Sequence, residues 1–167
     1  MAIEARRAHA PQDAIDLACF ELAGRIYGVA IDRVREILPT PAITPLPDAP
    51  PVIEGIVDLR GVWVPIVDLG ALLAGAGATC GARTRLVVAS VGELVFGFRV
   101  DRAMEVVAVS PASFEPVPEL VRSLGCRIVA AAVRRAEASP VLVLDLDVLV
   151  ARVVADASPE RRAEVAA

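Results

Sequence analysis

The sequence predicts an all-β protein made of two related halves, and three observations predict it. Short β-branched runs alternate with turn residues along the chain, among them 11 glycines and 13 prolines, which favours small barrels over a parallel α/β sheet. Residues 27–37, Y-G-V-A-I-D-R-V-R-E-I, reappear at 96–106 as F-G-F-R-V-D-R-A-M-E-V, with Gly28, Asp32, Arg33 and Glu36 matched by Gly97, Asp101, Arg102 and Glu105. Residues 66–73, I-V-D-L-G-A-L-L, likewise recur at 143–150 as V-L-D-L-D-V-L-V, so the order of elements repeats as well. Each half is too short to bury a large core by itself, so the halves are expected to pack against one another.

In chain order, residues 1–14 contain Pro11 and few apolar residues and are expected to be a disordered arm. Residues 17–22 and 26–31 read as strands around a turn at 23–25, with 32–38 continuing extended or as a single helical turn. Six prolines between Pro39 and Pro51 fix φ and remove amide donors, which excludes a helix or an inner strand. Ile43 and Leu46 give this stretch something to bury, so it is expected to pack along the domain. Residues 52–73 read as a hairpin followed by a short helix, with Arg60-Gly61 as the pair able to enter positive φ. A glycine-rich connector spans 75–81, and strands return at 86–91, 94–100 and 103–109. The segment 114–120 repeats the proline punctuation. A last hairpin is expected at 128–133 and 141–146 around Glu137 to Pro140, then a helix over 147–154 and a frayed tail over 156–167. The domain is thus placed at 15–155, with a first barrel over about 15–85 and a second over about 86–155.

Composition removes several function classes. A hydrophobic content of 56% and a mean hydropathy of +0.60 are high, yet no run reaches the roughly 18 apolar residues a membrane helix needs. With no apolar leader behind Glu4, Arg6 and Arg7, the chain reads as cytoplasmic, without direct membrane insertion. Net charge is -4, which offers nucleic acid no general attraction. All 17 basic residues are arginine, so a P-loop lysine and a Schiff-base amine are excluded. The single His9 lies in the expected arm. Cys19, Cys80 and Cys126 are far apart and lack metal-ligand spacing, and are expected to be reduced, buried apolar residues.

The repeated acids Asp32, Glu36, Asp101 and Glu105 are tested as general acid and base candidates. Their occurrence in both halves fits a duplicated structural turn better. Asp68 and Asp145 precede expected helical turns, where a carboxylate caps free amides. No catalytic, cofactor-binding or metal-binding residue is therefore assigned. What stands out is the hairpin turn, which carries Arg60 and, on alternating positions, Trp63. Alternation sets Val62, Val64 and Ile66 on one face and Trp63, Pro65 and Val67 on the other. Trp63 is either core or an exposed aromatic anchor, and Arg60 either solvated or a contact residue.

Five segments in order, 20–37, 43–47, 52–69, 95–106 and 142–149, resemble the CheW-like adaptors of bacterial chemosensory arrays. The resemblance implies two intertwined five-stranded SH3-like β-barrels sharing a hydrophobic core, with a short C-terminal helix. It implies no catalytic activity and no cofactor, and a cytoplasmic scaffold beside membrane-anchored receptor arrays. The implied partners are the regulatory domain of a CheA-type histidine kinase, contacted by the first barrel, and the cytoplasmic tip of methyl-accepting chemoreceptors, received between the barrels. By position, Val34, Glu36, Gly55 and Arg60 fall where the family places residues important for coupling.

Two departures change the local field around Arg60: Asp58 stands where the family usually has Asn, and Gly70 where a basic residue often follows. Trp63 replaces a commoner small aliphatic. Because the Leu-Arg-Gly turn has no counterpart in the second half, residues 58–63 are the better candidate for partner recognition, and Glu36 is expected to pair with Arg60 across the first barrel. The competing possibility is a small-molecule binder or enzyme using the cleft between the barrels, which requires converging polar groups.

Overall fold

A computed structural model describes residues 12–73, 80–124 and 127–158. The first half supplies β1 (Ile15–Leu22), β2 (Arg25–Ala30), a 3-10 turn (Ile31–Arg33), β3 (Val34–Pro39), β4 (Ile53–Leu59), β5 (Val62–Val67) and the short helix α1 (Leu69–Leu73). The second half repeats the series as β6 (Arg85–Val91), β7 (Leu94–Val100), β8 (Arg102–Val109), a 3-10 turn (Pro111–Ser113) and β9 (Phe114–Pro116). It then continues through the single-turn helix α2 (Glu119–Ser123), β10 (Val129–Arg135), β11 (Ala138–Leu144) and helix α3 (Leu146–Asp156).

These strands form two sheets, ordered β8-β1-β2-β11-β10-β9 and β3-β6-β7-β5-β4. The edges of the first sheet, β8 and β9, are joined directly through the Pro111–Ser113 turn. They are therefore two arms of one bent strand, and six strands make a five-stranded barrel. In the second sheet the chain leaving β3 reaches Thr44, which exchanges backbone hydrogen bonds of 2.8 and 2.9 Å with Ile56 on the far edge β4. Both sheets thus close on themselves, which removes open edges. Each barrel also holds a hairpin from the other half of the chain. β2 lies parallel to β11, with Tyr27 opposite Leu142, and β7 lies parallel to β5, with Ile66 opposite Gly97. The barrels are intertwined, and the division at 85/86 marks the repeat rather than the sheets: β3 and the 52–73 hairpin, expected in the first barrel, lie in the barrel of the second sheet, here the second barrel.

Burial follows the same plan in three clusters. Leu17, Cys19, Val109, Val133 and Val141 fill the first barrel, and Val57, Val64, Ile66, Leu86 and Val88 fill the second. A larger cluster lies between them, centred on Phe20, Tyr27, Phe96 and Phe98 and completed by Leu146 and Leu149 of α3. Phe20 touches both Tyr27 and Phe98, with ring centroids 5.9 and 5.4 Å away. The repeated glycines sit where the swapped hairpins meet their host strands. A Cβ on Gly28 would stand 2.9 Å from Val141, and one on Gly97 2.9 Å from Ile66. Aliphatic side chains occupy the space that these glycines leave.

Some expectations need correction. Residues 138–140 lie inside β11, and the turn is confined to 136–137. Pro140 is accommodated where the β10–β11 register shifts between Val133 and Arg135, so its missing amide breaks no ladder bond. In the proline-rich stretch Ile43 packs against the second barrel's core, whereas Leu46 is exposed. Residues 114–120 divide into a strand and a helix begun after Pro118. Cys80 is exposed, not core. His9, Cys126, residues 75–79 of the connector and most of both termini lie outside the described residues.

Cys19 is fully buried, and this burial raises its thiol from 9.0 to about 11. The unfolded chain therefore ionises this thiol at a lower pH than the folded one, and folding stability is expected to fall as pH rises from about 9 to about 11. The loss amounts to about 3 kcal/mol at most, at roughly 1.4 kcal/mol per unit. Urea unfolding across that range checks it: the decline should shrink by that amount in Cys19→Ala.

Candidate functional site

The site is the end of the second barrel at the β4–β5 turn. Its two central residues, Arg60 and Gly61, take φ of 53° and 82°, the conformation of a two-residue hairpin turn with both centres at positive φ. Asp58 secures it: its Oδ1 accepts a 2.7 Å hydrogen bond from the Gly61 amide. The carboxylate thus does the turn-holding that an Asn carbonyl would do, and adds a charge.

The alternation expected for β5 holds, but exposure follows distance from the turn rather than face. Val64 and Ile66 enter the second barrel and Val67 enters the shared core, whereas Val62 and Trp63, one on each face, are 60% and 62% exposed. Trp63 is therefore not core.

Glu36 on β3 accepts a 2.5 Å hydrogen bond from Arg60 Nη2. Since β3 and β4 are opposite edges of one sheet, this ion pair lies across the barrel's seam, beyond the Thr44–Ile56 bridge. Gly55 is buried on β4 at the same seam, where an added Cβ would stand 2.2 Å from the Thr44 carbonyl oxygen. Val34 packs against the shared core. Gly55 and Val34 thus support the shape of the site, while Glu36, Asp58, Arg60 and Trp63 form its accessible part. The second half repeats the seam pair as Glu105 with Arg135, 3.6 Å apart. That correspondence is hidden in the sequence because the repeat conserves the glutamate but not the arginine's position.

Arg60 is 79% exposed, so solvent screens the pair and its contribution to stability is at most about 1 kcal/mol. A double-mutant cycle with Glu36→Ala and Arg60→Ala, followed by chemical denaturation, is expected to give a coupling energy of about 0.3–1 kcal/mol. A zero value would mean the pair does not hold the turn.

The other candidate residues have structural tasks. Asp68 Oδ1 accepts from the Ala71 amide, and Asp145 Oδ1 from the amides of Asp147 and Val148, so both cap helices. Asp101 accepts from the Ala23 amide at the tip of the swapped β1–β2 hairpin. A groove of about 600 Å³ runs beside the proline-rich stretch; the arginines and the glutamate that line it are engaged internally, while the buried Thr40 hydroxyl there has no hydrogen-bond partner among the described residues. Arg99 donates to Glu54 and to Cys80, at 2.8 and 3.2 Å, and Arg85 donates to the carbonyls of Ala82 and Thr84. Burial opposes the Arg99 charge, but the bonds to Glu54 and Cys80 outweigh it and raise its pKa. No converging set suited to catalysis is present there. Among the described residues there is no group of three or more metal-ligating side chains, and no helix long and apolar enough to cross a membrane.

Residues 16–154 match the family model of the CheW-like domain. The chain belongs to the CheW-like family. It is 33% identical over 105 residues to the chemotaxis protein CheW of Klebsiella aerogenes, an alignment covering 63% of each chain. It is 30% identical over 134 residues to that of Treponema pallidum, covering 78% of each. The scaffolding protein TtCheW of Thermoanaerobacter tengcongensis has a similar solved structure, with a TM-score of 0.73 and 27% identity over 83% of this chain and 88% of that one. The swapped hairpins and the two closed barrels are thus the CheW-like fold.

Proposed function

We propose that this CheW-like chain is a non-enzymatic adaptor in a cytoplasmic chemosensory array, coupling the tips of methyl-accepting chemoreceptors to the regulatory domain of a CheA-type histidine kinase. Its accessible contact residues are Glu36, Asp58, Arg60 and Trp63, supported from beneath by Val34 and Gly55. The observation that carries this is the turn itself. An exposed cation and an exposed tryptophan are fixed on a seam that is closed by a backbone bridge and an ion pair. A turn held in this way loses little conformational freedom on binding, and Trp and Arg are the residue types that anchor protein interfaces.

The test measures binding of the full chain to the kinase regulatory domain and to a receptor tip fragment from the same array. The wild type is expected to bind both, and Arg60→Glu to weaken binding of at least one by about tenfold or more with its melting curve preserved. Absence of wild-type binding to either partner sinks the adaptor function. An unaltered Arg60→Glu protein sinks the site.

A further inference from the structure

The groove of about 600 Å³ beside the proline-rich stretch carries a thiol, a fixed cation and an unpaired hydroxyl, none of which belongs to the β4–β5 turn. Its volume is in the range of small-molecule sites. Cys80 is exposed, and its Sγ accepts a 3.2 Å hydrogen bond from Arg99 Nη1. Arg99 is itself held in place: its Nε donates to Glu54 at 2.8 Å, and the two side chains are only 17% and 15% exposed. The guanidinium therefore stays beside the sulfur, where a solvated arginine would swing away. The attacking form of a thiol is the thiolate, and a cation fixed next to it favours the attack.

The hydroxyl is that of Thr40, which lines the same groove. Its oxygen is closed to solvent and has no hydrogen-bond partner among the described residues. A buried hydroxyl left in this state costs about 1–3 kcal/mol, and an acceptor seated in the groove would remove that cost. The charged side chains of the lining are Arg85 and Arg99 against Glu54 alone, two guanidiniums to one carboxylate. The groove thus favours a negatively charged occupant. Cys19 has none of these features, being fully buried with its thiol raised to about 11.

We infer that Cys80 is a thiol-modification site, which forms a mixed disulfide with a low-molecular-weight thiol bearing carboxylates and seats the adduct in the groove against Thr40. The co-reactant is the disulfide form of that thiol. Cys80 Sγ attacks one of its sulfurs; the new S–S bond forms, the reagent's S–S bond breaks, and the departing thiolate takes up the proton that Cys80 gives up. Cys80 is oxidised and the released thiol is reduced. Arg99 favours the attacking sulfur, and the Thr40 hydroxyl donates to the seated adduct.

The experiment equilibrates the full chain with mixtures of reduced and oxidised glutathione and locates the adduct by peptide mass spectrometry, so that no cysteine has to be replaced. In the native chain the adduct is expected on Cys80, with Cys19 modified only after unfolding in urea. The mixed-disulfide equilibrium at Cys80 should be about fivefold or more in favour of the adduct relative to the same residue in the unfolded chain. Thr40→Val should remove most of that preference. Because the hydroxyl has no partner in the unmodified chain, this variant should melt no lower than wild type, which separates its effect from unfolding. At low salt oxidised glutathione should react about fivefold or more faster than the neutral hydroxyethyl disulfide, and the advantage should shrink as salt is raised. An adduct found chiefly on Cys19 or Cys126 overturns the site. A Cys80 adduct no more stable than in the unfolded chain, or one that Thr40→Val leaves unchanged, overturns its seating in the groove. Equal rates with the two disulfides overturn the preference for a carboxylate-bearing thiol.

Discussion

Gly55→Ala is expected to destabilise the chain by about 3 kcal/mol or more, several times the cost of the same change at Gly61. Both glycines have positive φ, 156° and 82°. Around Gly61 an added Cβ meets nothing within 4 Å, so only the backbone preference is lost, about 1 kcal/mol. At Gly55 the Cβ would lie 2.2 Å from the Thr44 carbonyl oxygen and 2.8 Å from its carbon. Those atoms belong to the bridge that closes the second barrel, so they cannot move aside without breaking the Thr44–Ile56 hydrogen bonds. Thermal unfolding checks the comparison. At about 2–4 °C per kcal/mol for a chain of this size, Gly55→Ala should lose about 6–12 °C and Gly61→Ala about 2–4 °C. Partner binding should weaken with Gly55→Ala although Gly55 is buried, because the opened seam no longer positions Arg60. Equal melting temperatures for the two variants would show that the seam is not a structural constraint.

Most of the fold could be read from the sequence, because its signals are local or repeated. β-Branched runs bounded by Gly and Pro located the strands, and the matched Y-G-V and F-G-F segments showed the duplication. The hairpin exchange could not be read from residues 15–85 and 86–155 as blocks. It depends on which strands become neighbours, and the parallel pairs β2–β11 and β5–β7 join segments far apart in sequence. The intertwining entered through family resemblance. At the site, the Arg60-Gly61 turn and the Glu36 pairing were legible, the former from backbone chemistry. The exposure of Trp63 was not, because a strand's alternation states its face but not where the opposing barrel stops covering that face. Cys80 looked like core on composition and lies at the surface.

The exchange of hairpins leads to the largest expected effect, which is that neither half of the chain folds alone. In the sheet ordered β3-β6-β7-β5-β4, the pair β6–β7 stands between β3 and β5. A fragment of residues 15–84 keeps β3, β4 and β5 but loses the hairpin that joins them. It also keeps β1 and β2, whose partners β8 and β11 lie in the other half. Phe96, Phe98, Leu146 and Leu149 leave the shared core with the second half, exposing Phe20 and Tyr27. What remains is two hairpins and one separated strand, and an isolated hairpin is marginal at best in water. Circular dichroism and amide-exchange measurements on the fragment of residues 15–84 are expected to show a disordered chain, and so are those on the complementary fragment of residues 85–158. Mixing the two should restore β-structure and protected amides, since each supplies the strands the other lacks. The full chain should correspondingly unfold in one transition, because no sheet can be lost while the other keeps its strands. A folded, protected fragment of residues 15–84, or two separated unfolding transitions in the full chain, would mean that the halves are independent domains.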